Sequence, residues 1–109
     1  MRHLLVAAAI AFSLTSTTAL AGNVVLNISG VGSFPDGTAF ILLSSPVPAA
    51  ESSCGDRGQV RFSLSTAGGV EMYRTALAAF VAGRSLTVNI ANSNSCFGTF
   101  PLASYLFVQ

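Results

Sequence analysis

Residues 70–91, VEMYRTALAAFVAGRSLTVNIA, decide the fold class because their hydrophobic periodicity changes from that of a helix to that of a strand. Residues 70–82 predict the helix, with Thr66 as its expected N-cap and Gly83 as the left-handed residue at its end. The side chains expected on the buried face of this helix are Val70, Tyr73, Leu77, Phe80 and Val81. The side chains expected to face inward from the following strand are Leu86, Val88 and Ile90.

Working outward, alternating apolar residues predict three strands before this helix and two after it. The predicted strands are residues 24–31, 38–43, 59–64, 85–91 and 102–108. Pro35, Asp36 and Gly37 form a turn signal, so the first two strands are expected to make a hairpin. Residues 44–58 and 92–99 are expected loops. The order β-β-β-α-β-β is typical of an OB-fold, so we predict a mainly β, five-stranded OB-fold-like barrel with one helix.

Residues 1–21 have the features of a signal peptide, which leaves residues 22–109 as one OB-fold-like domain. Arg2 and His3 give a basic start, an apolar run follows, and Ala19-Leu20-Ala21 is a small-x-small cleavage signal. The apolar run is too short to span a bilayer, and no later stretch predicts a transmembrane segment. The protein is therefore expected to be exported, either to the periplasm or as a secreted protein.

Cys54 and Cys96 are the two cysteines of the chain, and in a small exported domain they predict one structural disulfide. A redox pair would usually place the cysteines two residues apart. A zinc site would need further cysteine or histidine ligands, and the single histidine, His3, lies in the predicted signal peptide. We predict neither a metal site nor a cofactor.

The predicted mature chain carries no net charge. Its charged residues are Arg57, Arg61, Arg74 and Arg84 against Asp36, Glu51, Asp56 and Glu71. Phosphate binding needs a clustered cationic surface, so nucleic acid is not an expected partner, and neither is an anionic membrane surface. An uncharged surface rich in hydroxyl groups suits a neutral ligand or self-association.

The sequence predicts no catalytic residues. The serines lack a base, because the chain has no lysine and its one histidine is His3. Glycoside hydrolysis needs two carboxylates across a cleft, and the four acidic residues are scattered over a turn, a loop and a helix start. We therefore expect a protein that is not an enzyme.

Four residues in the two cysteine loops are candidate ligand contacts. Asp56 and Arg57 are opposite charges beside Cys54, and they would form either a polar ligand contact or an ordinary surface ion pair. Phe97 and Phe100 flank the Cys96 loop, and they would serve either as exposed stacking platforms or as cover for one end of the barrel.

A family resemblance extends over the layout of the chain. Val24-Val25-Leu26, the Cys54 loop, the helix–Gly83–strand junction and the late Cys96 together resemble small exported bacterial OB-fold proteins similar to the B subunits of subtilase-type and pertussis-like AB5 toxins. The resemblance implies a ring-forming lectin with a glycan pocket beside the first strands. In that family a serine just before the first strand contributes to the pocket, whereas this chain has Gly22 there, so no toxin ligand carries over.

These observations lead to two expected functions. The first is a small exported, non-catalytic binding module, for a glycan or another neutral ligand, that assembles into a homo-oligomeric ring. The alternative is a periplasmic or secreted structural or inhibitory protein that binds a partner protein of the envelope.

Overall fold

The computed structural model describes residues 22–108, so the predicted signal peptide, residues 1–21, lies outside the described residues. The described elements are β1 Asn23–Leu26, β2 Ile28–Ser33, β3 Thr38–Leu43, β4 Gln59–Ser63, α1 Ala67–Ala82, β5 Leu86–Asn89, β6 Cys96–Phe97, β7 Phe100–Pro101 and β8 Tyr105–Val108.

Two antiparallel three-stranded sheets form most of the fold. One has the strand order β1-β5-β8 and the other β2-β3-β4, while β6 and β7 form a small hairpin. An isolated parallel bridge joins Arg61 of β4 to Leu102, and the amide of Ala103 donates to the Arg61 carbonyl at 3.1 Å. The fold is therefore mainly β with one helix, as predicted. The two sheets are open, however, and they do not close into the predicted barrel.

The predicted first strand is divided at Asn27 into β1 and β2, which belong to different sheets. The backbone carbonyl of Asn27 accepts a hydrogen bond from the Ser44 amide at 2.9 Å, and its side-chain oxygen accepts one from the Ser85 hydroxyl at 3.1 Å. The pairing with β3 also shifts register between Ile28 and Gly30. The residues predicted as one strand thus bend at Asn27 and contribute a strand to each sheet. Periodicity alone does not reveal this bend.

The core lies between the two sheets and under the helix. Its buried residues are Leu26, Ala39, Ile41, Val47, Val60, Phe62, Ala76, Ala79, Leu86, Val88, Ile90 and Ala103. The predicted inward residues are confirmed, since Leu86 and Val88 of β5 and Ile90 just after it are fully buried; Thr87, which alternation places outward, is also buried. Val47 is also fully buried although it lies in the predicted 44–58 loop.

Both predicted ends of the helix are confirmed. The Thr66 hydroxyl accepts a hydrogen bond from the Gly69 amide at 3.0 Å, which is the N-cap interaction. Gly83 has φ 67°, and its amide donates to carbonyls of the last turn. Because both ends are capped, α1 begins and ends where the sequence predicts to within a few residues.

The predicted buried face of the helix is confirmed only in part, since Tyr73 packs against the core and Val70 is half-buried, but the other three residues are exposed. The buried residues are the small ones, Gly69, Ala76 and Ala79, whereas Leu77, Phe80 and Val81 are exposed, Val81 by 80%. The start of α1 lies close to the end of β4. A Cβ on Gly69 would lie 1.9 Å from the Ser63 carbonyl oxygen. Only a residue without a side chain fits at this position, and further along the helix the buried positions are the two alanines.

The C-terminal part also differs from the prediction. The expected 92–99 loop contains β6, which pairs with β7 to make a hairpin, and the expected last strand is regular only as β8. Pro101 has no amide hydrogen to donate, which limits regular pairing at this point. The predicted disulfide is confirmed, with the Cα atoms of Cys54 and Cys96 5.9 Å apart.

Candidate functional site

The outer face of the β2-β3-β4 sheet carries a row formed by Gly32, Phe40 and Arg61, which lie opposite one another in the register. Their neighbours in β3 and β4 are buried, so these residues alternate outward. A Cβ on Gly32 would lie 2.4 Å from Cζ of Phe40. The glycine therefore leaves the space in which the Phe40 ring extends across β2.

Arg61 is surrounded by aromatic rings. Its Cζ atom lies 3.8 Å from the ring centroid of Phe100 and 5.0 Å from that of Phe34. The rings of Phe34 and Phe40 have centroids 5.0 Å apart at an interplanar angle of 42°. The Arg61 Nε group donates to Oε1 of Gln59 at 2.8 Å. We call these five residues the Arg61 cluster. Each cation–π contact contributes about 0.5–2 kcal/mol.

A tight turn positions Phe34. The Phe34 amide donates to the Thr38 carbonyl at 2.8 Å, and the Gly37 amide donates to the Phe34 carbonyl at 3.1 Å. The Asp36 carboxylate accepts from the Thr38 amide at 3.0 Å, and Gly37 has φ 89°. This is the turn that the Pro-Asp-Gly sequence predicts, and its internal hydrogen bonds hold Phe34 beside the sheet.

The disulfide and neighbouring hydrogen bonds position Phe100. The amide of Ser53 donates to the Ser93 carbonyl at 2.7 Å, and the amide of Asp56 donates to the Thr99 carbonyl at 2.8 Å. Together with the predicted Cys54–Cys96 bridge, these hydrogen bonds join the two cysteine loops. The β6–β7 hairpin is thereby held against β4, with Phe100 over Arg61.

The structure separates the four predicted ligand contacts. Phe100 belongs to the Arg61 cluster, and Phe97 is its half-buried partner across the hairpin. Asp56 accepts a hydrogen bond from the Gly58 amide at 3.1 Å, and Arg57 donates to the Val47 carbonyl at 2.7 Å. The side chains of Asp56 and Arg57 thus bind the backbone of their own loop rather than each other.

Sequence reasoning missed Phe34, Phe40 and Arg61 as site residues. Alternation could have placed Arg61 outward, because Val60 and Phe62 on either side of it are predicted to face inward. The contact between Arg61 and Phe100 could not be found in this way. It depends on the parallel bridge between Arg61 and Leu102, which joins segments about 40 residues apart.

A second polar cluster lies on the outer face of the β1-β5-β8 sheet. The Asn89 side-chain amide donates to Oδ1 of Asn23 at 2.9 Å, and the Tyr105 hydroxyl donates to the same oxygen at 3.0 Å. The Ser104 hydroxyl donates to the Asn89 side-chain oxygen. The Tyr105 and Phe107 rings are stacked, with centroids 6.5 Å apart. The polar groups of this cluster largely satisfy one another.

No protein-family model, curated protein or solved structure matches this chain. The resemblance to AB5 toxin B subunits therefore stays a prediction, and the function has to be argued from the geometry. Within residues 22–108 no three His, Cys, Asp or Glu side chains are grouped closely enough to hold a metal ion. In the same part of the chain, no helix has both the length and the apolar character needed to cross a membrane.

Three of the four carboxylates that could serve a hydrolase bind groups close to them in the sequence. Asp36 and Asp56 each accept a hydrogen bond from the amide two residues later, at 3.0 Å and 3.1 Å. Glu71 forms an ion pair with Arg74 at 2.9 Å. These contacts assign three of the four acidic residues to turns or to the surface of α1.

Proposed function

We propose that this protein is a small exported binding module that binds a glycan through the Arg61 cluster and catalyses no reaction. The observation that carries the proposal is the guanidinium of Arg61 lying 3.8 Å from the Phe100 ring on an outer sheet face. Aromatic rings offer apolar surface to the C–H faces of a sugar, and guanidinium N–H groups donate to its oxygens. The disulfide supports export, because such bonds persist in oxidising compartments.

We also propose an OB-type arrangement of the strands. β1 pairs with β5, β2 pairs with β3, and the bridge between Arg61 and Leu102 relates β4 in parallel to the segment before β8. These pairings support a Greek-key order in which one bent strand serves both halves, while the two sheets remain open. In OB-folds the face formed by the second and third strands, with its flanking loops, binds oligosaccharides or oligonucleotides. In this proposed arrangement, the β2-β3-β4 face that carries the Arg61 cluster would be the corresponding face.

The proposed strand arrangement is tested by hydrogen exchange of one amide. The Ala103 amide donates to the Arg61 carbonyl, so it should exchange slowly. Exchange as fast as that of an amide in an exposed loop would contradict the proposed link between the two sheets.

The glycan function is tested on an oligosaccharide array with two phenylalanine variants of matched exposure. Phe34 is 42% exposed within the cluster, and Phe107 is 41% exposed on the other sheet. We expect Phe34→Ala to lose most of the glycan binding and Phe107→Ala to retain it. Equal losses would point to a general effect on folding. Absence of saccharide binding by the wild-type protein would contradict the proposed function.

One observation favours the alternative, a partner protein of the envelope. Leu77, Phe80 and Val81 are large apolar residues on the exposed side of α1, where Leu77, Ala78 and Val81 line a shallow groove of about 470 Å³. Grouped exposed apolar residues are typical of protein contacts. Val81→Asp should abolish capture of a defined envelope partner while Phe34→Ala retains it. Light scattering on the same samples would reveal a ring of identical subunits instead.

A further inference from the structure

We infer that Arg61 makes the Arg61 cluster selective for saccharides that carry a carboxylate. The inference rests on the proposed glycan function and names the ligand class of the same site. Three features of Arg61 support it: the contacts that hold its guanidinium, the donors that remain for a ligand, and the absence of an anionic partner among residues 22–108.

Contacts with three residues hold the guanidinium in place. The Nε group donates to Gln59 at 2.8 Å, and the rings of Phe34 and Phe100 lie against the guanidinium. The Nη groups make no hydrogen bond within residues 22–108, so they provide two parallel donors for a ligand. Parallel N–H donors match the two oxygens of a carboxylate, and because the fork is held in place little side-chain entropy is lost on binding.

Arg61 is half-buried and forms no ion pair with any carboxylate of residues 22–108. Arg57 and Arg74 differ from it, since Arg57 donates to a backbone carbonyl and Arg74 pairs with Glu71. Among residues 22–108, the partners that stabilise this partly desolvated cation are the aromatic rings and Gln59. A ligand carboxylate would supply the missing charge, and it would do so where the aromatic rings limit screening by water.

The net charge of the predicted mature chain explains why selectivity for a carboxylate would depend on direct contact with Arg61. The predicted mature chain carries four arginines and four acidic residues, so no long-range field attracts polyanions. Selection would therefore depend on one planar group at one position. A uronic acid fits because its carboxylate lies next to a sugar ring, which would contact the exposed parts of the phenylalanine rings.

The experiment measures the Kd of an oligogalacturonate, its carboxyl-reduced neutral counterpart and a sulfated neutral oligosaccharide by calorimetry. We expect the wild-type protein to bind the uronic acid about tenfold more tightly than the reduced sugar. Arg61→Gln should remove that difference, because glutamine has neither the charge nor the planar fork, and it should also weaken binding of the neutral sugar, whose oxygens lose the guanidinium donors. Arg61→Lys should recover only part of it, because lysine keeps the charge but not the planar fork.

Arg74→Gln is the control, because this arginine is exposed on α1 and pairs with Glu71. It should leave all three Kd values unchanged. Equal affinity for the acidic and reduced sugars would overturn the inference while leaving the glycan function standing. Tighter binding of the sulfated sugar would overturn the choice of a carboxylate. Failure to bind any of the three, with no binding on the wider array, would overturn the proposed function itself.

Discussion

Replacing Gly69 by alanine tests how closely α1 approaches β4. In the wild-type protein the position has no side chain, and a Cβ there would lie 1.9 Å from the carbonyl oxygen of Ser63 and 3.0 Å from its carbonyl carbon. The obstacle is backbone at the end of a paired strand rather than the tip of a flexible side chain. The clash is therefore relieved only if the start of the helix moves.

The required movement sets the size of the effect. The helix start would have to shift by about 1.5 Å to restore an ordinary contact of 3.4 Å with the Ser63 oxygen. Such a shift disturbs the packing of Ala76 and Ala79, which are almost completely buried. Overpacking of this kind costs about 1–3 kcal/mol. The gain in helix propensity from glycine to alanine, at most about 1 kcal/mol, offsets part of that cost. We expect a net loss of about 1–2 kcal/mol.

Gly68→Ala is the matched control, one residue earlier in the same helical turn. A Cβ on Gly68 meets nothing closer than the Thr66 hydroxyl at 4.0 Å. This variant should gain a few tenths of a kcal/mol, up to about 1 kcal/mol, from helix propensity. The assay is urea unfolding of the oxidised protein followed by far-UV circular dichroism. The reasoning is refuted if Gly69→Ala is as stable as the wild type, or if both variants lose stability equally.

Three further predictions concern the disulfide and the two helix caps. Replacing Cys54 and Cys96 together by alanine should lower the free energy of unfolding by about 4 kcal/mol, from the loop-closure entropy of a 42-residue separation; an unchanged urea midpoint would contradict this. Thr66→Ala should cost about 1 kcal/mol by removing the 3.0 Å bond to the Gly69 amide, whereas Thr66→Ser should cost much less. Gly83→Ala should cost about 1 kcal/mol in thermal unfolding, because an alanine is strained at φ 67° although space for its Cβ is free.

Local patterns predicted those parts of the fold that local chemistry determines. Alternation identified the inward side chains of β5, the Pro-Asp-Gly sequence identified the turn before β3, and Thr66 and Gly83 identified the ends of α1. The cysteine count identified the disulfide. In each case a few neighbouring residues carry the physical cause, so the sequence contains the whole signal.

Contacts between distant segments account for the parts that were predicted wrongly. Hydrophobicity favours the larger side chains of α1 for the core, but Ala76 and Ala79 are the ones buried there, where the helix packs against β2 and β8. The pairing of β1 with β5 divides one predicted strand between two sheets. The Arg61 cluster also depends on contacts between distant segments, because the bridge at Leu102 and the disulfide-linked loops bring Arg61 and Phe100 together. No local periodicity encodes any of these three contacts.

The division of one strand at Asn27 has a consequence for how the chain folds as it is synthesised. β2 can complete its sheet once residue 63 has been made, but β1 has no partner until β5 follows. During that interval β1 is an unpaired apolar edge, which is open to association with other chains. Pairing across such a long separation is also slow to form. The nascent protein is therefore most prone to aggregation after residue 63 and before residue 89 has been synthesised, because β1 has no β5 to pair with during that interval.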